Sequence, residues 1–228
     1  HDPIAQESAF EVIFLDVGHG AATLLLGPDG STTIYDLGSA GRSGITGSIL
    51  EPYLRRRGIR DVDRVILSHG DSDHHSGMEE LAQRYGPSRW ITTERVHRTI
   101  PDFNRWSELS GGRTVVSAPG DQFSFGGGWV GRVLLPEREH DRGGESDNDL
   151  SLVLRVSGPE GSILLTGDLE ESGLAILRAA GTEPTTVVQL PHHGEGIDGL
   201  KEWLDACRPR WAISSARSDN ALGRMKTG

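Results

Sequence analysis

A chain of 228 residues has the length of one large domain and can bury most of its apolar surface. Its 23 basic against 33 acidic side chains give a formal charge of −10, which excludes attachment to nucleic acid by bulk positive charge but not an enzyme that offsets phosphate charge with cations. The 31 glycines and 11 prolines are spread between apolar runs, none of which approaches the ~20 residues that span a bilayer, residues 1–8 lack the regions of a signal peptide, and the lone Cys207 excludes an internal disulfide or a thiolate-cluster zinc site.

Segments 11–17, 22–26 and 31–35 are predicted strands, separated by Gly18-His19-Gly20 and by the turn Gly27-Pro28-Asp29-Gly30. They read as an antiparallel meander. Ile49, Leu50, Tyr53 and Leu54 share one helical face, Arg55 to Arg57 complete its last turn, and Gly58 caps it ahead of a buried strand over 64–68. Met78, Leu81, Ala82 and Tyr85 recur at i, i+3, i+4 and i+7, so a second helix begins directly behind a His/Asp cluster. Further strands are expected over 90–93, 114–117, 129–135, 150–156, 163–166 and 186–190, and helices over 170–180 and 200–207. Apart from 114–117, the segment 94–128 has the weakest pattern and reads as a surface excursion. No internal repeat is present. Strands in both halves, with helices after the first meander and after Asp168, predict an α/β (α+β) architecture: two sheets face to face with helices outside. A doubly wound parallel sheet is the alternative; the antiparallel opening and the hairpin signal over 157–161 favour the sandwich.

The chemistry is concentrated in His69-Gly70-Asp71-Ser72-Asp73-His74-His75, on an irregular loop after a buried strand. Alternate residues of an extended segment point the same way, so these side chains can converge, and imidazole with carboxylate suits Zn²⁺ or Mn²⁺. Two later points supply more candidates. Asp168 follows an apolar strand, where it also reads as a helix N-cap, and His192 and His193 follow another. Strand parity places His192 with Val188 and Leu190, which favours His192 as the ligand and leaves His193 beside it or on substrate phosphate.

The sequence resembles the metallo-β-lactamase superfamily, in which a His-x-His-x-Asp-His loop, a later Asp and a late His build a two-metal site in an αββα sandwich. Seven motifs, in order, resemble the metallo-β-lactamase-like domain of the ComEC competence family: Phe14 to Gly20, Ile34 to Gly38, Tyr53 to Ile59, Leu67 to His74, Asn148 to Leu154, Leu164 to Glu170 and Leu190 to Gly194. The match runs from about Phe10 to Ser215, so residues 1–228 are expected to form one four-layer domain, excised from a larger membrane protein or free-standing. In that family the first loop carries Asp where Asp71 stands.

By this resemblance His69 and Asp71 serve one divalent metal and Asp73 and His74 a second, while Asp168 bridges them and His192 or His193 completes the second. Asn148 or Asp149 stands where many members place a third histidine for the first metal, and an oxygen there shifts the preference towards Mn²⁺. Asp36 matches an aspartate that orients a ligand. The resemblance implies a two-metal hydrolase cleaving phosphodiesters of single- or double-stranded DNA during DNA uptake, with Asp73, Asp168 and His193 at the reaction. It also implies a monomer, partnered by the channel of its parent protein and lying outside the cytoplasmic membrane or in the periplasm; a free-standing relative would be secreted or cytoplasmic. A hydrolase of small phosphodiesters, lactones or thioesters and a catalytically silent DNA- or partner-binding domain are the alternatives. Arg55 to Arg57, Arg60, Arg64, Arg208 and Arg210 read as solvated surface that can also steer DNA, and of Trp203 and Trp211 at least one belongs to the core. This chain departs from the family at His19-Gly20-Ala21, where Gln-Gly-Asp is usual, at the short loop 195–199, and at 218–228, which lacks the family's Gly-His-Pro segment and closing strands.

Overall fold

Residues 9–136 and 146–216 are described by the computed structural model, so the unusual stretch 218–228 lies outside the described residues. Two six-stranded sheets carry the molecule. The first runs β1 (Glu11–Phe14), β2 (Ala22–Leu26), β3 (Thr32–Leu37), β4 (Arg64–Ile66), β5 (Arg89–Thr92) and β6 (Arg113–Val116) in spatial order. Its first three strands are the expected antiparallel meander, and β3 to β6 are parallel. The second sheet is ordered β12 (Trp211–Ile213), β11 (Val187–Gln189), β10 (Gly161–Leu165), β9 (Val153–Gly158), β8 (Trp129–Leu135) and β7 (Gln122–Gly126). There β7 to β10 are antiparallel and β10 to β12 parallel.

Neighbouring residues of the central strands bury opposite faces, which is why these strands read as unbroken apolar runs. Leu25, Tyr35, Ile66 and Ile91 meet Phe125, Val133, Leu154 and Leu165 between the sheets. Their neighbours Leu24, Ile34, Val65 and Trp90 turn outward, against α1 (Glu51–Arg57), α3 (Met78–Tyr85) and α5 (Pro101–Leu109). Behind the second sheet, Val153, Leu164 and Val188 pack on α6 (Glu171–Ala179) and α7 (Leu200–Cys207). The result is a helix–sheet–sheet–helix sandwich. Parallel pairing within each half explains why the doubly wound alternative arises from the sequence. Among the described residues no helix is long and apolar enough to cross a membrane.

Two expectations change, for the segment 94–128 and for Arg64, and one holds, for the two tryptophans. The segment 94–128 is no surface excursion: α4 (Glu94–Thr99) and α5 bury Val96, Phe103 and Trp106, and β7 adds a strand. Its aromatic residues pack among polar neighbours whose spacing hides the period. Arg64 is buried, donating to the Ser124 carbonyl (2.9 Å) with its guanidinium 4.8 Å from the Phe125 ring centroid, so it does not belong to a solvated face. Trp203 is core, whereas Trp211, on the edge strand β12, is 59% exposed.

Candidate metal centre

The expected loop is built where β4 ends. Leu67 still pairs with the Ile91 carbonyl, after which Ser68 to Asp71 leave the sheet and a single helical turn, α2 (Ser72–His75), follows. Helical rather than extended backbone spaces successive side chains ~100° apart, so the adjacent Asp73 and His74 reach the same volume from different directions. Gly38 makes room for this turn. A Cβ on Gly38 would lie 2.3 Å from the carbonyl carbon of Asp73 and 2.4 Å from the amide of His74.

Asp36, fully buried at the end of β3 with φ 57°, organises the loop. A non-glycine residue in this left-handed conformation persists only where its surroundings hold it. Asp36 Oδ1 accepts the Ser68 amide, and Oδ2 accepts both the Ser68 hydroxyl and His74 Nδ1–H, each at 2.8 Å. Because the Ser68 hydroxyl proton is committed to Asp36, His69 Nδ1 must donate to Ser68 Oγ (2.9 Å). These bonds fix the tautomers: in the neutral rings, Nε2 of both His69 and His74 is a bare lone pair.

Asp73, His74, Asp168 and His193 bring one ligand atom each within 4.8 Å of the others. His193 Nε2 lies 3.2 Å from both Asp73 Oδ2 and Asp168 Oδ2, and His74 Nε2 lies 3.0 Å from Asp168 Oδ1. His69 adjoins the group, its ring centroid 4.2 Å from that of His74 and its Nε2 3.7 Å from Asp71 Oδ2. His69 Nε2 is buried without a hydrogen-bond partner, and His74 Nε2 and Asp168 Oδ1, 3.0 Å apart, meet no partner beyond each other. Buried polar atoms left this way are costly, and their clustering here fits a bound cation.

The electrostatics agree. Burial works to lower the His74 and His193 imidazoles, but Asp168 and Asp36 outweigh it for His74, and Asp168 and Asp73 lift His193 to about 9. Burial likewise works to raise the carboxyls; the His193 hydrogen bond and the charge of His74 nevertheless hold Asp73 at about 2, and the charge of His74 with the His193 bond holds Asp168 far below the usual range. Asp71, half exposed, is lowered by its contact with His69. Without metal, protons take the place of the cation.

Among the adjacent histidines, His193 rather than His192 joins the group. The parity argument fails because β11 ends at Gln189, Pro191 opens a tight turn, and both histidines take positive φ, 48° and 56°. His192 is turned out, its Nδ1 3.7 Å from Glu170 Oε1. Asn148 and Asp149 are engaged elsewhere: the Asn148 amide donates to Glu170 (3.0 Å), and Asp149 accepts the Gly173 amide (2.7 Å) in the first turn of α6. That capping role had been a reading of Asp168, which instead points into the cluster while its amide donates to Ser151 Oγ (3.2 Å). Sequence reasoning missed Ser68, Ser151 and Ser214, whose hydroxyl donates to the His193 carbonyl. Small polar residues at strand ends were the available signal. His19 lies at the rim, its Nε2 3.7 Å from Asp73 Oδ2.

The model of the metallo-beta-lactamase superfamily matches residues 15–210. This chain belongs to that superfamily. Over 211 residues it is 33% identical to Recombination protein 2 of Haemophilus influenzae, covering 91% of this chain and 24% of the relative. Over 219 residues it is 27% identical to Competence protein ComA of Neisseria gonorrhoeae, covering 94% and 28%. The chain thus spans about a quarter of the length of these relatives. In fold it is similar to the metallo-beta-lactamase fold protein YhfI from Bacillus subtilis, with a TM-score of 0.57 at 14% identity, covering 91% of this chain and 98% of the other. The superfamily uses divalent metals, and the cluster around Asp168 suits them.

Proposed function

We propose that this chain is a metal-dependent phosphodiesterase acting on DNA, working as a monomeric catalytic domain of a longer DNA-uptake protein on the extracytoplasmic side of the membrane. The observation that carries the chemistry is the convergence of Asp73, His74, Asp168 and His193, one ligand atom each within 4.8 Å of the others, with the unpartnered His69 Nε2 beside them. DNA as substrate is supported by the competence relatives, which match over nearly the whole chain.

In this reading Asp73, His74 and His193 would hold one cation and His69 and Asp71 the other, with Asp168 the carboxylate shared between them; Zn²⁺ and Mn²⁺ would both suit the donors. Two divalent cations supply Lewis acidity, acidifying a water and offsetting charge on the phosphate and leaving oxygens. Asp36 and Ser68 keep the His74 and His69 lone pairs aimed at the site. Burial of Asp168 and His74 excludes bulk water from the far side and leaves Asp71 and His19 facing the open side. The lone Cys207, on the buried face of α7, takes no part.

The test is hydrolysis of linear DNA, circular DNA and bis(p-nitrophenyl) phosphate with Mn²⁺ or Zn²⁺ and with EDTA. Metal-dependent DNA cleavage is expected. Cleavage of the small diester alone would assign a small-molecule hydrolase, and silence of the folded protein on all three would assign a binding domain.

A further inference from the structure

A groove of about 760 Å³ opens beside the candidate metal centre, between the turn joining β1 to β2 and the segment after β12. It meets the centre at His19, whose ring centroid is 4.6 Å from that of His193. Its size falls in the ~300–1,000 Å³ range of small-ligand sites. Three side chains of the described lining are charged or titratable: Asp16, His19 and Arg42.

Arg42 is held in place without being neutralised. Its Nη1 donates to the Asp16 carbonyl (3.1 Å) and its amide to Ser39 Oγ (3.2 Å), which in turn donates to the Val17 carbonyl (2.8 Å). The guanidinium lies along Gly18, where a Cβ would come 3.7 Å from Nε. Arg42 is exposed and makes no ion pair among the described residues, as holds too for Arg56 and Arg113; what sets it apart is its place in the groove beside the centre. The Asp16 carboxylate is tied to its own turn, accepting the Gly18 amide at 3.1 Å. A pre-positioned guanidinium with most of its donors unspent is suited to a phosphate, whose oxygens match its planar fork.

We propose that this groove carries the phosphodiester backbone on one side of the scissile bond, with Arg42 holding a neighbouring phosphate. The inference rests on the nuclease reading and adds to it where the strand lies: a small diester occupies the centre alone, whereas a strand fills centre and groove together.

The test compares the wild-type chain with Arg42→Ala, Arg42→Lys and, as a control at the exposed start of the edge strand β6, Arg113→Ala. Binding of a fluorescein-labelled oligodeoxythymidylate is followed by anisotropy across salt concentrations without divalent metal, and hydrolysis of the same strand with Mn²⁺. Loss of one charge-assisted phosphate contact corresponds to roughly tenfold weaker binding, and for a single strand the magnitude of the log–log salt slope falls by about 0.7. Arg42→Ala is expected to show both changes and a raised KM for the strand, Arg42→Lys to keep the slope, and Arg113→Ala to behave as wild type. Identical binding by Arg42→Ala and Arg113→Ala, or no binding by the wild type, overturns the groove. Cleavage with an unaltered Arg42→Ala slope removes the groove and spares the nuclease reading, whereas Arg42-dependent binding without cleavage does the reverse.

Discussion

Asp168 is the residue on which the candidate centre converges, with one oxygen beside His74 and the other beside His193. The adjacent histidines give the sharpest test of this geometry. His193→Ala is expected to lose bound metal and His192→Ala to retain it, as read by metal analysis of the purified proteins. The opposite result would return the role to His192. Asp36→Asn keeps a residue that tolerates the left-handed backbone but removes the charge that orients His74, and should weaken metal binding by about 10- to 100-fold. The raised histidines also set a pH dependence. Stability from a raised imidazole is present below its ordinary value of 6.5 and is lost as pH climbs towards the folded value, about 9 for His193. Stability from Asp73 is present above 3.8 and is lost as pH falls towards about 2. Metal must displace the histidine protons, so its affinity, measured by titration calorimetry, should rise between pH 6.5 and 9 with proton release. A flat profile would place the imidazoles outside the binding step.

At the scale of elements, the centre depends on one helical turn, α2, pressed against the end of β3. Gly38→Ala would place a methyl group inside the Asp73 backbone, where no flexible side chain can yield. Overpacking of this kind costs about 1–3 kcal/mol, and the displaced turn should also lower metal content. Urea midpoints and metal analysis of the variant check both; a native midpoint with full metal would show that β3 and α2 adjust freely. Helix α3 was legible to the residue from its period, and so were β8 and α7. The bend after β11 was not, because proline and two positive-φ histidines obey no strand period.

At the scale of the molecule, the centre joins loops from both sheets: Asp73 and His74 follow β4 of the first, and Asp168 and His193 follow β10 and β11 of the second. A cation held there links the two halves and stabilises the folded state by mass action, about 2.7 kcal/mol when free metal exceeds its Kd a hundredfold. For a chain of this size that corresponds to roughly 5–10 °C in Tm. EDTA should lower the melting temperature of the metal-loaded protein by this amount and leave Asp168→Asn nearly unchanged. An EDTA-sensitive Asp168→Asn would show that the cation does not depend on the residue shared by both halves.

Sequence patterning favoured the sandwich and narrowed the candidate ligands to a few segments. Unbroken apolar strands dictate two buried faces, and the dense His/Asp loop has no apolar or solvated explanation of comparable economy. Asp36 was legible through the family resemblance, Asp73 and His74 through the dense His/Asp loop behind β4, and Asp168 through its place after an apolar strand. Tertiary structure alone decided which side chains converge. His193 replaced His192 through backbone bending at Pro191, Asn148 and Asp149 turned to Glu170 and the start of α6, and Ser68 fixed the tautomer of His69. Such choices depend on distances between residues far apart in the chain, to which local periodicity is blind.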